Sequence, residues 1–395
     1  MGAERGGPID RAGSDSLNIA PGVAYALMWV GFAAYLAVLF AAPALGRRPV
    51  WGAIAVLVVG FALTPPLLSH DVYSYVDYAR LGAVHGLDPY VHPPAAAPAD
   101  PAFAHVTWPH TTSAYGPLFT LATYPLAWLP VSAAVWALKA VSAVSVLGIA
   151  AICARLAPLR GVDPLRAAAF VALNPLVLVH VVGGGHNDAL TMLLAMLAVA
   201  AILSAREAAG GAALVAAIAT KVSALFLAPF ALLATAKPGS TGRYVEPEST
   251  FWPIGRFLVG GVLAIAVICG VSYLAFGWNW LDAIGLAGEN QSRTSHLSIP
   301  TTAARLTGLS DAATRDAALT LYAAFVAYLL TWSWRGNDWL RAAAWAAFGL
   351  LLATSWLLPW YVIWALPLVA LSRDRALQLL LLALTAYQLG ARIPL

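Results

Sequence analysis

The chain has 395 residues, 61% of them hydrophobic and only 10% charged, with a formal net charge of +4. Soluble domains carry about 25% charged residues, so a chain this apolar has the bilayer as its solvent. Its basic residues are scattered through short loops, which excludes nucleic acid as a partner, and its two cysteines, Cys153 and Cys269, lie in apolar runs and read as small core hydrophobes without zinc spacing.

Residues 1–20 are polar and mixed in charge, without the basic start, apolar stretch and small-residue cleavage site of a leader. They read as a disordered tail before a single transmembrane domain over 21–395. A helix needs about 20 apolar residues to span. The candidates are 22–45, 51–68, 133–154, 167–182, 189–205, 254–276, 316–334, 341–357, 359–371 and 376–392. Two more apolar segments are ambiguous: 117–130 is short and ends in Pro130, and 210–236 is too long for one upright helix and carries Lys221 and Pro229. Lys and Arg prefer cytoplasmic loops. If Arg47 and Arg48 are inside, 117–130 is embedded without crossing and 210–236 is a hairpin, then Arg160, Arg206, Arg256, Arg341 and Arg373 also fall inside. The expectation is an all-α polytopic integral membrane protein of about 10–13 spanning helices, with amphipathic or re-entrant helices in the first outer loop. Loops 69–116 and 277–315 then lie outside, with room for a substrate surface.

The first outer loop opens on "SHDVYSYVDYARLGAVHGLDPY" (69–90). Asp71 follows the second span, where an acid is partly desolvated. It reads either as a first-turn acid facing the helix dipole or as a catalytic or substrate-binding group. Val72, Tyr75, Val76, Ala79 and Ala83 share one face, the pattern of an amphipathic helix, and Gly86 is its stop. Tyr73, Tyr75, Tyr78 and Tyr90 read as interfacial belt residues. Tyr115 and Gly116 precede Pro117, which suits the first turn of an embedded helix.

In "LNPLVLVHVVGGGHNDALTMLLAM" (173–196) three glycines make a tight outer turn. Asn187 or Asp188 can cap the next helix, whose N-terminus attracts phosphate, although Asp188 repels it unless a cation intervenes. His186 is a candidate contact to phosphate or sugar, against the plainer reading of a glycine turn with a cap. Lys221, inside apolar sequence, is either functional or snorkels to the inner headgroups. In "SWLLPWYVIWALP" (355–367), Trp360, Tyr361 and Trp364 are belt residues or the wall of a lipid-chain groove. Glu289, Arg293 and His296 of the second outer loop complete the ionisable set on that side. Asp71, Asp88, Asp188 and Glu289 could gather a hard cation. There is no Walker loop, dinucleotide-binding glycine motif, HExxH or nucleophile elbow.

Together, "SHDVYSY", "GLDPY", "YGPLF", "LNPLVLVHVVGGGHNDAL", "ATKVSALFLAPF" and "LPWYVIWALP" resemble, in this order, the polyprenol-phosphate-mannose-dependent α-1,6-mannosyltransferases of the GT-C class of membrane glycosyltransferases. The likeness runs from about residue 65 to about 370, with His70 where the family pattern suggests arginine. It implies the GT-C fold in a bacterial plasma membrane. It also implies inverting transfer of mannose, at the outer face, from polyprenyl-phosphate mannose to a lipid-linked mannoside of a lipomannan-type lipoglycan. Asp71 matches the general base. Arg80, His186, Asn187, Asp188, Arg293 and His296 are then candidates for the donor phosphate or sugar. Tyr75, Tyr115, Glu289, Trp360 and Tyr361 are candidates for the acceptor or the groove. No metal or other cofactor is expected, and membrane lipids are partners. The alternatives are a GT-C transferase of another polyprenyl-phosphate sugar, or a transporter or flippase. The last fits less well, because transporters carry charges at the midplane and here they gather at one rim.

Overall fold

A computed structural model describes residues 21–236, 251–296 and 298–391. The tail over 1–20 and the cytoplasmic candidates Lys237 and Arg243 lie outside the described residues. The regular secondary structure is helical, with no strand among the described residues. Helix α1 (Pro21–Leu45) leads into α2 (Arg47–Ala62), α3 (Asp71–Ala83), α4 (Pro117–Thr123) and α5 (Val131–Leu156). Then follow α6 (Pro164–Ala172), α7 (Asp188–Leu203), α8 (Glu207–Thr220), α9 (Ala228–Ala236) and α10 (Phe251–Phe276). The last are α11 (Asp282–Glu289), α12 (Ile299–Thr307), α13 (Asp311–Trp334), α14 (Trp339–Ala353), α15 (Leu366–Leu371) and α16 (Arg375–Ala391). Among the described residues four helices are long and apolar enough to cross a membrane: Tyr25–Leu45, Val131–Leu156, Pro253–Phe276 and Asp311–Trp334. Shorter apolar helices, α7, α8 and α14 among them, fill the space between.

Polar contacts sort the molecule into two ends. At one end Arg160 pairs with Asp338, Arg341 with Asp374 and Arg256 with Glu207. At the other lie α3, the turn over 183–188 and Lys221. Residues 210–236 form the expected hairpin. Helix α8 runs beside α10 in the same direction: Ala208 meets Gly260 near their starts, where a Cβ on Gly260 would sit 1.9 Å from the Ala208 carbonyl oxygen. Ala219 and Ile268 share a small cavity near their ends. The chain breaks into extended backbone at Lys221 and returns through a 3₁₀ turn, Val222–Leu227, into α9. The segment 117–130 stays beside α3, with the Arg80 guanidinium donating to the Ala127 carbonyl at 2.6 Å.

Two expectations for the first loop are corrected. Helix α3 is not amphipathic in its setting: Val72 through Ala79 and Leu81 are all buried. It is wrapped by α4, α5 and the 3₁₀ turns of its own loop. The tyrosines are not belt residues. Tyr73, Tyr75, Tyr78 and Tyr90 are all buried, and the Tyr78 hydroxyl donates to the Thr111 carbonyl at 2.8 Å, the Tyr90 hydroxyl to that of Tyr115 at 2.9 Å. A buried phenol needs a partner for its hydroxyl, and the loop backbone supplies it.

Candidate active site

After α2 the chain turns through Thr64–His70, with Leu68 in the left-handed region at φ 57. Asp71 is the first residue of α3, at the positive end of its dipole, and its backbone N–H donates to Ser69 Oγ at 3.2 Å. This turn is tied to the 183–188 turn twice. The Leu67 N–H donates to the Gly183 carbonyl at 3.0 Å. Lys139 of α5, fully buried, donates from Nζ to the carbonyls of Thr64 (2.6 Å), Gly183 (2.6 Å) and Pro65 (3.2 Å) and to Thr64 Oγ1 (3.2 Å). One ammonium thus spends its three donors on holding two turns together.

Those turns bring Asp71 and His186 face to face. Gly185 takes φ +72, and a Cβ there would come within 3.1 Å of Lys139 Cγ. The next residue, His186, is buried, with Nδ1 3.8 Å from Asp71 Oδ2. Its ring stacks on Trp360 at 3.7 Å, and neither ring nitrogen has a hydrogen-bond partner among the described residues. Burial first, then Lys221 and His180, push its pKa well below the ordinary histidine value, so the imidazole is neutral. Asn187 accepts a long 3.5 Å contact from the Tyr75 hydroxyl, and its Nδ2 has no partner among the described residues. Burial also raises the Asp71 pKa, against the opposing pull of Lys221, the Trp108 side chain and His70, while Asp188 adds to the rise.

Asp188, the first residue of α7, has a different fate. It is fully buried, with both carboxylate oxygens 2.8 Å from Lys221 Nζ and the Trp364 indole N–H donating at 2.7 Å. Lys221 therefore does not snorkel toward the arginine end: it sits at the hairpin tip and is the cation that offsets Asp188. Trp360, Tyr361 and Trp364 are likewise not belt residues, being buried within the protein. Tyr361 stacks on Trp364 at 4.0 Å, with Lys221 5.4 Å above its ring.

A cavity of about 450 Å³ opens over Asp71, walled by Trp108, Trp356 and Trp360 with Ser69 and His70 beside the carboxylate. Arg293 lies with its guanidinium carbon 4.6 Å from the Trp108 ring and 5.3 Å from that of Trp356. Tyr75 and Tyr115 pack edge to face at 4.8 Å but are not among the residues that line the cavity. The remaining candidates lie elsewhere. Arg80 holds Asp100 at 2.8 Å, His296 is exposed with its carbonyl accepting from Arg305 at 2.9 Å, and Glu289 is exposed at the end of α11. The four acids do not gather around a cation, because Asp188 holds Lys221 and Asp88 accepts from Asn279 at 2.9 Å. Among the described residues no three His, Cys, Asp or Glu side chains converge as a metal site requires.

Sequence reasoning missed Lys139, Trp108 and Trp356. For Lys139 a signal existed, since it is the ionisable residue inside the 133–154 span, and an intramembrane charge is a functional candidate by default. Nothing local marks the two tryptophans, which meet only through folding.

A family model described as alpha-(1->6)-mannopyranosyltransferase, N-terminal domain, matches residues 10–237, more than half of the chain and the part that carries Asp71, Lys139, His186, Asp188 and Lys221. Alpha-(1->6)-mannopyranosyltransferase A of Mycobacterium tuberculosis is 28% identical over 377 residues, covering 87% of this chain and 70% of that protein. Its namesake in Corynebacterium glutamicum is 27% identical over 318 residues, covering 71% and 63%. The chain thus spans about two thirds of the length of these relatives. No solved structure matches it.

Proposed function

The chain belongs to the alpha-(1->6)-mannopyranosyltransferase family, and on that premise we propose that it transfers mannose from a polyprenyl-phosphate mannose to a mannoside of a cell-envelope lipoglycan. The reaction takes place at the outer face of the bacterial plasma membrane, on a GT-C scaffold of about ten to thirteen spans. The observation that carries this reading is Asp71: a half-buried carboxylate on the floor of the cavity, raised in pKa and without the short ion pair that occupies Asp188.

An acceptor hydroxyl in the cavity gives its proton to Asp71 as its oxygen attacks the anomeric carbon. The bond from that carbon to the phosphate oxygen breaks on the opposite side, and polyprenyl phosphate departs with the electron pair. One displacement inverts the anomeric centre and needs one base, whose contribution is typically 10²–10⁴-fold. A phosphate leaving group needs donors rather than a protonating acid. The neutral His186 ring and the Asn187 amide below, and the Arg293 guanidinium above, supply them. The polyprenyl tail stays in hydrocarbon, which explains an active site at the end of an apolar bundle.

Purified protein incubated with radiolabelled polyprenyl-phosphate mannose and short α-1,6-mannosides tests this. An α-1,6-extended product supports the proposal. No transfer, or transfer only from a polyprenyl-phosphate arabinose or glucose, overturns it.

A further inference from the structure

Three cavities can be compared by what lines them. The largest, about 560 Å³ between α9, α10 and α13, presents apolar side chains such as Leu232, Leu233, Ile254 and Trp334. A second, about 170 Å³ beside α8 and α10, is also apolar, with Ile218, Ile265 and Ile268. The cavity over Asp71 differs, because indoles alternate there with a carboxylate, an imidazole and hydroxyls. That mixture is the complement of a pyranose. A sugar ring has faces of C–H bonds that lie on an electron-rich indole, and a rim of hydroxyls that needs hydrogen-bonding partners. A hexose displaces about six waters, roughly 180 Å³ at ~30 Å³ per water, so about 450 Å³ holds a donor sugar and an acceptor sugar together.

We propose that Trp108 and Trp356 form the acceptor-sugar platform of this cavity, fastened by Arg293. This rests on the function proposed above and deepens it. The two indoles meet edge to face at 6.1 Å, and each comes from a different part of the chain, Trp108 from the first outer loop and Trp356 from the segment after α14. Arg293, from the second outer loop, covers both rings. A guanidinium over an indole face is an attractive contact, so three separate segments are joined at the mouth of the site. Because the Trp108 ring also lines the cavity and faces Asp71, a pyranose on the platform has its hydroxyl rim against the base. Both tryptophans are partly exposed, as rings that await a ligand must be.

The test pairs kinetics with binding. Trp356→Ala is expected to raise the acceptor KM about tenfold or more, the scale of a lost aromatic contact, with donor KM unmoved and Trp356→Phe recovering most of the loss. Arg293→Lys keeps the charge but loses the planar stack, and is expected to raise the acceptor KM as well. An effect of Arg293→Lys on donor KM alone would overturn the fastening role. Saturation-transfer NMR with α-1,6-mannotriose and no donor reads binding directly, and the Phe variant serves where the Ala variant does not fold. Transfer by the wild type with an acceptor KM indifferent to Trp356 overturns the platform and leaves the function standing. Mannotriose binding that depends on Trp356, without mannose transfer, supports the platform and overturns the function.

Discussion

At the arginine end of the bundle three acids each have a cation: Asp338 holds Arg160, Asp374 holds Arg341, and Glu207 meets Arg256 at 3.4 Å. At the other end the same currency of charge is divided unevenly. Asp188 takes a lysine at 2.8 Å and an indole N–H, while Asp71, also the first residue of a helix, has the Trp108 side chain and a histidine at 3.8 Å but no short ion pair. Burying a charge without a partner is costly, and a fold tolerates it where the group has work to do. The comparison separates an acid held in a structural ion pair from the acid proposed as the base, although both have the same local setting, an acid opening a helix at the same end of the bundle.

The sharpest break of that comparison is Asp71→Asn. It keeps the size and the helix start and removes the base, so transfer should fall by about 10²–10⁴-fold while thermal stability is unchanged or slightly raised, since a costly charge has gone. Turnover near that of the wild type in the radiolabel assay would end the claim for Asp71.

Lys221→Met should do the reverse, acting first on stability. Removing one partner of a buried ion pair costs about 3–5 kcal/mol, because Asp188 then lies fully buried without its cation. The double variant with Asp188→Leu should recover most of the melting temperature. A Lys221→Met protein as stable as wild type would mean that the pair is not what closes the hairpin tip.

What the sequence shows and hides follows from the range of these interactions. Apolar runs and charge asymmetry are local, so the long helices, the hairpin and the two ends were legible, whereas the expected spans 167–182 and 359–371 are each broken into two shorter pieces, at Leu173–Asn174 and at Ala365. Asp188 and Lys221 stand 33 residues apart, and nothing in either neighbourhood marks the other. The tyrosines of α3 were misread because composition alone does not distinguish a helix lying on the membrane from one roofed by its own loop. Trp108, Arg293 and Trp356 come from three segments, and their joint position exists only in the fold.

The pH response sharpens the comparison further. Burial raises the Asp71 pKa, so as pH falls through that value the base gains a proton, and transfer should drop about tenfold per unit below it. Stability should move oppositely. A carboxyl whose folded pKa exceeds its unfolded one favours folding as it is protonated, and that contribution is lost as pH rises through the folded value. Asp77, pushed up to about 7 by burial and by Asp100, has the same sign, so the difference between wild type and Asp71→Asn isolates Asp71. At the arginine end the sign reverses. Burial pulls Asp374 up, but the Leu377 N–H, Trp345 and Arg341 together hold it below the ordinary range, and its contribution is lost only as pH falls through that depressed value. Melting curves from pH 4 to 8 that rise on acidification in wild type and equally in Asp71→Asn would show that Asp71 does not titrate as its burial implies.

The smallest effect belongs to Arg341→Met. Its guanidinium is 46% exposed, so water already competes for it, and exposed pairs contribute about 0–1 kcal/mol. Asp374 keeps the Trp345 indole N–H at 2.9 Å and the Leu377 backbone N–H at 3.1 Å, whereas the fully buried Asp188 would fall back on the Trp364 indole N–H. Both kcat and acceptor KM should therefore match wild type, and the melting temperature should shift by no more than a few degrees. The same chemical change, a cation replaced by methionine, is thus nearly silent at one end and severe at the other. A loss of stability in Arg341→Met comparable to that in Lys221→Met would mean that the two ends are coupled through the bundle, and that the weight of an ion pair does not follow its burial.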